Sequence, residues 1–144
     1  MLSKTCEYAM RTLICIALHY KEEERVDLKK ITEAINAPLP FVIKIMQQLA
    51  KAGLVISKKG PNGGFFLSEE QRNMPLINII KLIDGNELFT NCILGLKKCT
   101  ENKPCPLHFK FKPIKAELQK LFDMHSIETI KNDLETQQFF LSIS

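Results

Sequence analysis

Residues 28–68 read LKKITEAINAPLPFVIKIMQQLAKAGLVISKKGPNGGFFLS. Asp27 stands where a helix N-cap belongs, and Leu28, Ile31 and Ile35 follow at helical spacing. Asn36-Ala37-Pro38 ends that helix, because the residue before a proline is pushed out of the helical region. A second helix runs from about Leu39 to Ala52. Its buried set is Val42, Ile45, Met46 and Leu49, and Gly53 occupies the left-handed position after its end. Leu54-Val55-Ile56 is a short apolar strand, residues 59–64 form a glycine-rich turn, and Phe65-Phe66-Leu67 is the return strand. Two short helices joined by a tight turn and followed by a glycine-tipped hairpin make a winged helix-turn-helix.

The flanking sequence extends this core. Residues 4–20 form an amphipathic helix, with Ser3 as its cap and Tyr8, Ala9, Leu13, Ile16, Ala17 and Tyr20 at helical spacing. KEEER (21–25) is a polar break. Pro75 opens a further helix, capped by Asn73 and striped by Leu76, Ile79, Ile80 and Ile83, and Asp84-Gly85 ends it. Residues 86–105 lack periodicity and read as a loop. A long helix follows from about Pro106 to Met124, with Ile114, Leu118, Leu121 and Phe122 on one side. Ser126 caps a short helix ending near Leu134. The fold class expected is mainly α with a small β-hairpin wing. The organisation expected is a DNA-binding unit over 1–85, a cysteine-bearing loop over 86–105, and a long helix with its tail over 106–144.

Composition narrows the function classes. At 144 residues, 45% hydrophobic and 25% charged, the chain is neither collagen-like nor largely disordered. No apolar run approaches the roughly 20 residues of a membrane span, and Glu7 and Arg11 interrupt the first apolar segment as no signal peptide would allow. A cytoplasmic protein is therefore expected, with no membrane partner. Five cysteines make an odd count for a secreted disulfide framework and suit metal or redox chemistry in a reducing compartment. No nucleophile–base pair, phosphate loop or paired carboxylates stand out, so neither an enzyme nor a small-molecule substrate is expected.

Charge is clustered. Between Leu28 and Leu67 six lysines face Glu33 alone, and between Cys92 and Lys120 seven lysines face two glutamates. On the helix over 39–52, Pro40, Phe41, Ile43, Lys44 and Gln47 lie away from the apolar face. Lys44 suits a phosphate or guanine edge, and Gln47 suits adenine. The hairpin tip carries Lys58, Lys59, Gly60 and Asn62, a thin basic element fit to track phosphates or enter a minor groove. The partner this predicts is double-stranded DNA.

A second constellation is Cys92, Cys99, Cys105 and His108. Thiolates hold iron–sulfur clusters, and imidazole can replace one of them. The spacing of His108 from Cys105 places both on one face of a helix start. Lys97, Lys98 and Lys103 would balance an anionic cluster. Zinc takes the same ligand types, although no closely spaced Cys pair is present. Lysine-rich surroundings also lower thiol pKa, so reactive thiols that form a disulfide are a third reading. Cys6 and Cys15 on the first helix read as small core residues, and His19 and His125 as polar residues at helix ends.

The segment quoted above, the opening SKTCEYAMRTL and the run INIIKLIDG (77–85) resemble the bacterial winged-helix regulators of the Rrf-two family, which includes IscR- and NsrR-like members. The likeness covers nearly the whole chain, and KAGLV…KGPNGG is its most distinctive part. It implies a homodimer built on the long C-terminal helix, a DNA operator read by two half-sites, and regulation of transcription, with repression as the expected mode. Cluster-binding members carry three cysteines at similar spacing. IscR-like members complete a 2Fe-2S site with a histidine three residues after the third cysteine, the position of His108. In NsrR-like members an acidic residue before the first-helix tyrosine reaches the partner's cluster, and Glu7 stands there. The resemblance thus implies an iron–sulfur cluster, 2Fe-2S or 4Fe-4S, sensing nitric oxide, redox or iron–sulfur status. The alternatives are a cluster-free regulator using thiol oxidation or a protein partner, and a metal-binding adaptor that touches no DNA.

Overall fold

The first helix, α1 (Lys4–His19), is the hub of the molecule. The Ser3 side chain caps it, accepting from the Cys6 N–H at 3.0 Å, while the Ser3 carbonyl accepts from Glu7 at 2.9 Å. Its buried side is nearly continuous, through Cys6, Ala9, Leu13, Ile16 and Ala17. Such a helix can only be central, and α1 packs against four other helices and the wing. These observations come from a computed structural model that describes residues 1–19, 25–96, 100–136, 139 and 141. The readings above for Tyr20, Lys97, Lys98 and Cys99 lie outside the described residues.

The helix-turn-helix follows the sequence closely. Asp27 caps α2 (Leu28–Ile35) by accepting from Lys30 N–H at 2.8 Å, and Asn36 closes it in the left-handed conformation, φ 50°. Pro38 sits at the N-cap of α3 (Leu39–Lys51), and Gly53 takes φ +75° two residues past its end. Ile31, Val42, Ile45, Met46 and Leu49 are all buried, and full burial of each such side chain stabilises the fold by about 1.5–3 kcal/mol.

The wing is β1 (Ile56–Lys58) against β2 (Gly64–Phe66), antiparallel, with Ile56 opposite Phe66 and Lys58 opposite Gly64. The first strand starts two residues later than the apolar run implies. Leu54 and Val55 are buried in the core, so their hydrophobicity marks packing rather than strand pairing. Val26 adds a bridge on the other side of the wing, exchanging two 2.9 Å hydrogen bonds with Phe65.

Three further differences have plain causes. Ser68 and Gln71 form a capping box that starts a short helix, α4 (Glu69–Asn73). Asn73 therefore ends a helix instead of capping one, and Pro75 takes the N-cap of α5 (Leu76–Asp84). A single turn, α6 (Glu87–Thr90), lies inside the segment read as loop, too short to show periodicity. The long helix, α7 (His108–Met124), begins two residues later than expected, which leaves Cys105 just ahead of it. Its expected stripe is split. Phe122 packs towards the core and edge-on to Phe89 at 6.3 Å, whereas Ile114 and Leu121 are 58% and 51% exposed.

The last helix, α8 (Ile127–Glu135), has the capping box of Ser126 with Thr129 and folds back onto α1 and α4. Leu76 N–H donates to the His125 carbonyl at 2.8 Å, and Arg72 pairs with Glu128 at 3.1 Å. Ile127 thereby joins the same core as α1. Among the described residues, no helix is long and apolar enough to cross a membrane.

Candidate functional site

The candidate residues gather on two surfaces. The first is built on α3 and the wing. Leu39, Pro40, Ile43, Lys44, Gln47 and Gln48 line the exposed side of α3. Phe41 departs from the outward set, because its half-buried ring packs edge-on against Tyr8 at 5.2 Å and joins α3 to α1. Lys58, Lys59, Gly60 and Asn62 are all exposed at the wing tip. A groove of about 570 Å³ runs between wing and α2, where Lys29, Lys58 and Lys59 outnumber the single acidic residue, Asp27, the cap of α2. Basic side chains along a groove beside an exposed helix form the electrostatic footprint of a nucleic-acid surface.

The wing is held in place by a residue that its own sequence does not reveal. Arg25 Nη1 donates to the Asn62 carbonyl at 2.7 Å, and the guanidinium stands 5.9 Å from the Phe66 ring. Backbone packs tightly beneath it. A Cβ at Gly64 (φ +153°) would meet the Arg25 Cβ and the Val26 carbonyl oxygen at 2.9 Å. A Cβ at Gly63 would overlap the Lys58 carbonyl oxygen and sit 2.8 Å from that of Gly60. Only glycine fits these positions.

The second surface is the cysteine centre. The Cys92 and Cys105 sulfurs lie 3.6 Å apart, brought together from opposite ends of the loop. Cys92 is buried and Cys105 half-buried. His108 N–H donates to the Cys105 carbonyl at 3.0 Å, so one turn links thiol and imidazole at the head of α7. The imidazole is buried, edge-on to Phe109 at 4.8 Å, and borders a cleft of about 410 Å³ shared with Glu101, Lys112 and Lys115. Glu101 pairs with Lys112, which fastens the loop to α7 and holds the Glu101 carboxyl below its usual range, chiefly through the hydrogen bond.

The environment favours a thiolate at Cys92. The backbone N–H of Leu94 does most to hold this thiol below its ordinary range, with the Leu96 N–H, the Cys105 side chain and Lys115 adding to it against the opposing effect of burial. Burial drives the two thiols of α1 the opposite way. Cys6 is pushed up to about 12, by desolvation first and then by Asp84, and Cys15 is raised by desolvation. His19 Nδ1 lies 2.8 Å from the Cys15 carbonyl, closing the end of α1.

The donor set fits a thiophilic metal centre, since deprotonated sulfur and neutral imidazole are its preferred ligands. Cys99 lies outside the described residues. Glu7 sits on α1, 38% exposed, in an ion pair with Lys4 at 3.1 Å. Among the described residues, no group of three or more His, Cys, Asp or Glu side chains comes together as a complete metal set.

The profile of the Rrf2 (Rrf-two) family, described as iron-dependent transcriptional regulator, matches residues 2–133. The chain belongs to this family. An HTH-type transcriptional regulator of Aquifex aeolicus (strain VF5) is 33% identical over 142 residues, covering 97% of each chain. The structure of IscR from T. potens superposes with a TM-score of 0.73 at 24% identity, over 99% of this chain and 93% of that one. CymR (YrzC), the global cysteine regulator of B. subtilis, gives a TM-score of 0.73 at 21% identity, over 92% of this chain and 96% of that one. These two likenesses bear on fold. Rrf2 proteins are transcriptional regulators, and this chain is accordingly an HTH-type DNA-binding regulator, not an enzyme. Within that Rrf2 frame, sequence reasoning missed Arg25, exposed Leu39, and the amides around Cys92. Leu39 falls at helical spacing with Val42 and Met46, and only its place in the first turn leaves it exposed.

Proposed function

We propose that this Rrf2 protein is a homodimeric regulator, acting as a repressor, that binds a two-half-site operator with α3 and the wing, and whose DNA affinity is set by an iron–sulfur cluster on Cys92, Cys99 and Cys105. His108 is the fourth ligand from the same chain, and Glu7 from the partner chain is the alternative. The observation that carries the reading is the 3.6 Å approach of Cys92 and Cys105 beside amides that favour thiolate. Two thiolates on one tetrahedral metal atom at about 2.3 Å stand roughly 3.8 Å apart. Cys92 and Cys105, so spaced, would hold a cluster iron together, with Cys99 and the fourth ligand completing the set.

The dimer rests on α7. Leu107, Phe111, Ile114, Leu118 and Leu121 recur at alternating spacings of four and three, the repeat of a two-helix seam. Leu107, Ile114 and Leu121 are 38%, 58% and 51% exposed, an apolar ridge that a second copy of α7 would cover. Such pairing fixes the distance between the two α3 helices, and so the half-site spacing.

When bound, the cluster supplies a centre that nitric oxide, oxidants or iron shortage can dismantle. The chain's own residues carry the consequence. Glu101–Lys112 and the Cys105–His108 turn tie the loop to α7, and α7 packs on α5. Asp84, at the end of α5, accepts from the Ser3 N–H at 2.9 Å and from the Ser3 hydroxyl, which fastens α5 to α1. The hub helix α1 in turn holds α2 and α3. Releasing the loop changes the set of α7 and, through the dimer, the separation of the α3 helices. Moving the operator from mostly bound to mostly free requires about 5.5 kcal/mol of differential affinity.

Anaerobic purification tests this directly. The wild type retains stoichiometric iron and sulfide with visible absorbance, and Cys92→Ala is colourless. A second reading is supported by the same sulfur pair. Cys92 and Cys105 are close enough to close to a disulfide of about 2.05 Å, two thiols giving up two protons and two electrons to an oxidant such as a peroxide. A colourless wild type that resists reconstitution and forms this disulfide reversibly would replace the cluster by thiol oxidation on the same DNA-binding scaffold.

A further inference from the structure

The half of α3 that would enter the major groove first is apolar. A recognition helix contacts base edges chiefly through its N-terminal residues. Here those residues are Leu39, Pro40 and Ile43, with Leu39 47% and Ile43 36% exposed. The buried side of the helix is already complete with Val42, Ile45, Met46 and Leu49; Ile43 borders a small apolar pocket with Leu28, Met46 and Phe65 yet keeps 36% of its surface open, and Leu39 lies outside that pocket. Polar capacity is depleted at the same end. Pro38 at the N-cap offers no side-chain hydrogen bond, Pro40 has no N–H, and the N–H groups of Phe41 and Val42 donate back to the Pro38 carbonyl at 3.0 and 3.1 Å. The hydrogen-bonding side chains, Lys44, Gln47 and Gln48, begin only in the second turn.

Only one feature of a base edge in the major groove is apolar. It is the C5-methyl group of thymine, and aliphatic contact with it is an established mode of direct readout. The flanking charge brings DNA to this end, because Lys44 follows on the helix and Lys58 and Lys59 stand on the wing. We infer that Leu39 and Ile43 are specificity-determining residues that select thymine, by its methyl group, at the operator positions facing the first turn of α3. This rests on the placement of α3 as the recognition helix proposed above.

The test separates the two claims. The full-length protein, prepared anaerobically, is used to enrich binding sites from a random duplex pool. The enriched duplexes are then made in two forms, one with thymine and one with deoxyuridine in its place, and affinities are compared for wild type, Leu39→Ala and Ile43→Ala. Both side chains are exposed, and circular dichroism verifies that the variants fold. The wild type should lose about fourfold in affinity for each contacted methyl group removed. The variants should bind the thymine duplex more weakly and discriminate less between the two forms. Equal wild-type affinity for both forms would overturn the inference while leaving the interface intact. Failure of any sequence to enrich would overturn the interface reading, and the inference with it.

Discussion

The Cys92 sulfur lies 3.6 Å from that of Cys105, although the two are thirteen positions apart in sequence. Contact at that range requires the loop to fold back on itself. Gly95, at φ +76°, donates to the Cys92 carbonyl at 3.0 Å in the turn that directly follows Cys92. The two thiols act as one unit, and their loss should be non-additive. Cys92→Ser and Cys105→Ser should each remove most of the bound iron, and the double variant should do no more than either alone. Iron and sulfide analysis of the three proteins checks this, and full retention by either single variant would exclude that cysteine as a ligand.

Thiol reactivity should follow the local fields. Cys92 is held towards the thiolate, whereas Cys6 is pushed up to about 12 and Cys15 is raised by burial. In metal-free protein at neutral pH, iodoacetamide should modify Cys92 well before Cys6 or Cys15, which should react only on unfolding. Peptide mapping over a time course reads the order directly.

The raised Cys6 pKa also predicts an alkaline weakness. The folded state keeps this thiol protonated up to about 12, while the unfolded chain releases the proton near its ordinary 9.0. The stability linked to Cys6 is therefore whole below about pH 9 and falls as pH rises towards 12. Thermal melts from pH 7 to 11 should show this decline, and Cys6→Ala should flatten it relative to that variant's own neutral value. A slope unchanged by the substitution would place the alkaline sensitivity elsewhere.

On the wing, charge and positioning are separable. Lys58 and Lys59 stand on the exposed wing, and Lys58→Ala or Lys59→Ala should each lower the salt dependence of DNA binding by about one counterion. Arg25 is committed to the Asn62 carbonyl. Arg25→Met should weaken binding by loosening the wing, with the salt slope kept. A slope that also falls by about one would show Arg25 on a phosphate instead.

The sequence disclosed most of the fold because periodicity and punctuation agreed there. Asp27, Asn36, Pro38 and Gly53 bound the two short helices; the buried set of the second agrees with its spacing, and in the first Ile31 and Ile35 are buried while Leu28 is only partly so. Boundaries slipped where hydrophobicity served another purpose, as at Leu54 and Val55, which fill the core ahead of the strand. The short helix α4 was missed because its signal is the Ser68–Gln71 capping box rather than an apolar stripe. Cys92, Cys105 and His108 were legible as residue types at a spacing, and Lys58 and Lys59 as a basic tip. The Arg25 clamp, the amides of Leu94 and Leu96 at Cys92, and the Ser3–Asp84 link are long-range or backbone features that no local pattern encodes.

The most direct test of the account is the affinity of anaerobically prepared holo-protein for an enriched operator duplex, measured beside the same protein after removal of iron and sulfide. The two affinities should differ by roughly 10⁴-fold, and the Cys92→Ser protein should match the metal-free form. Equal affinities for holo and metal-free protein would contradict cluster control of DNA binding, because a ligand without differential effect on two states shifts nothing.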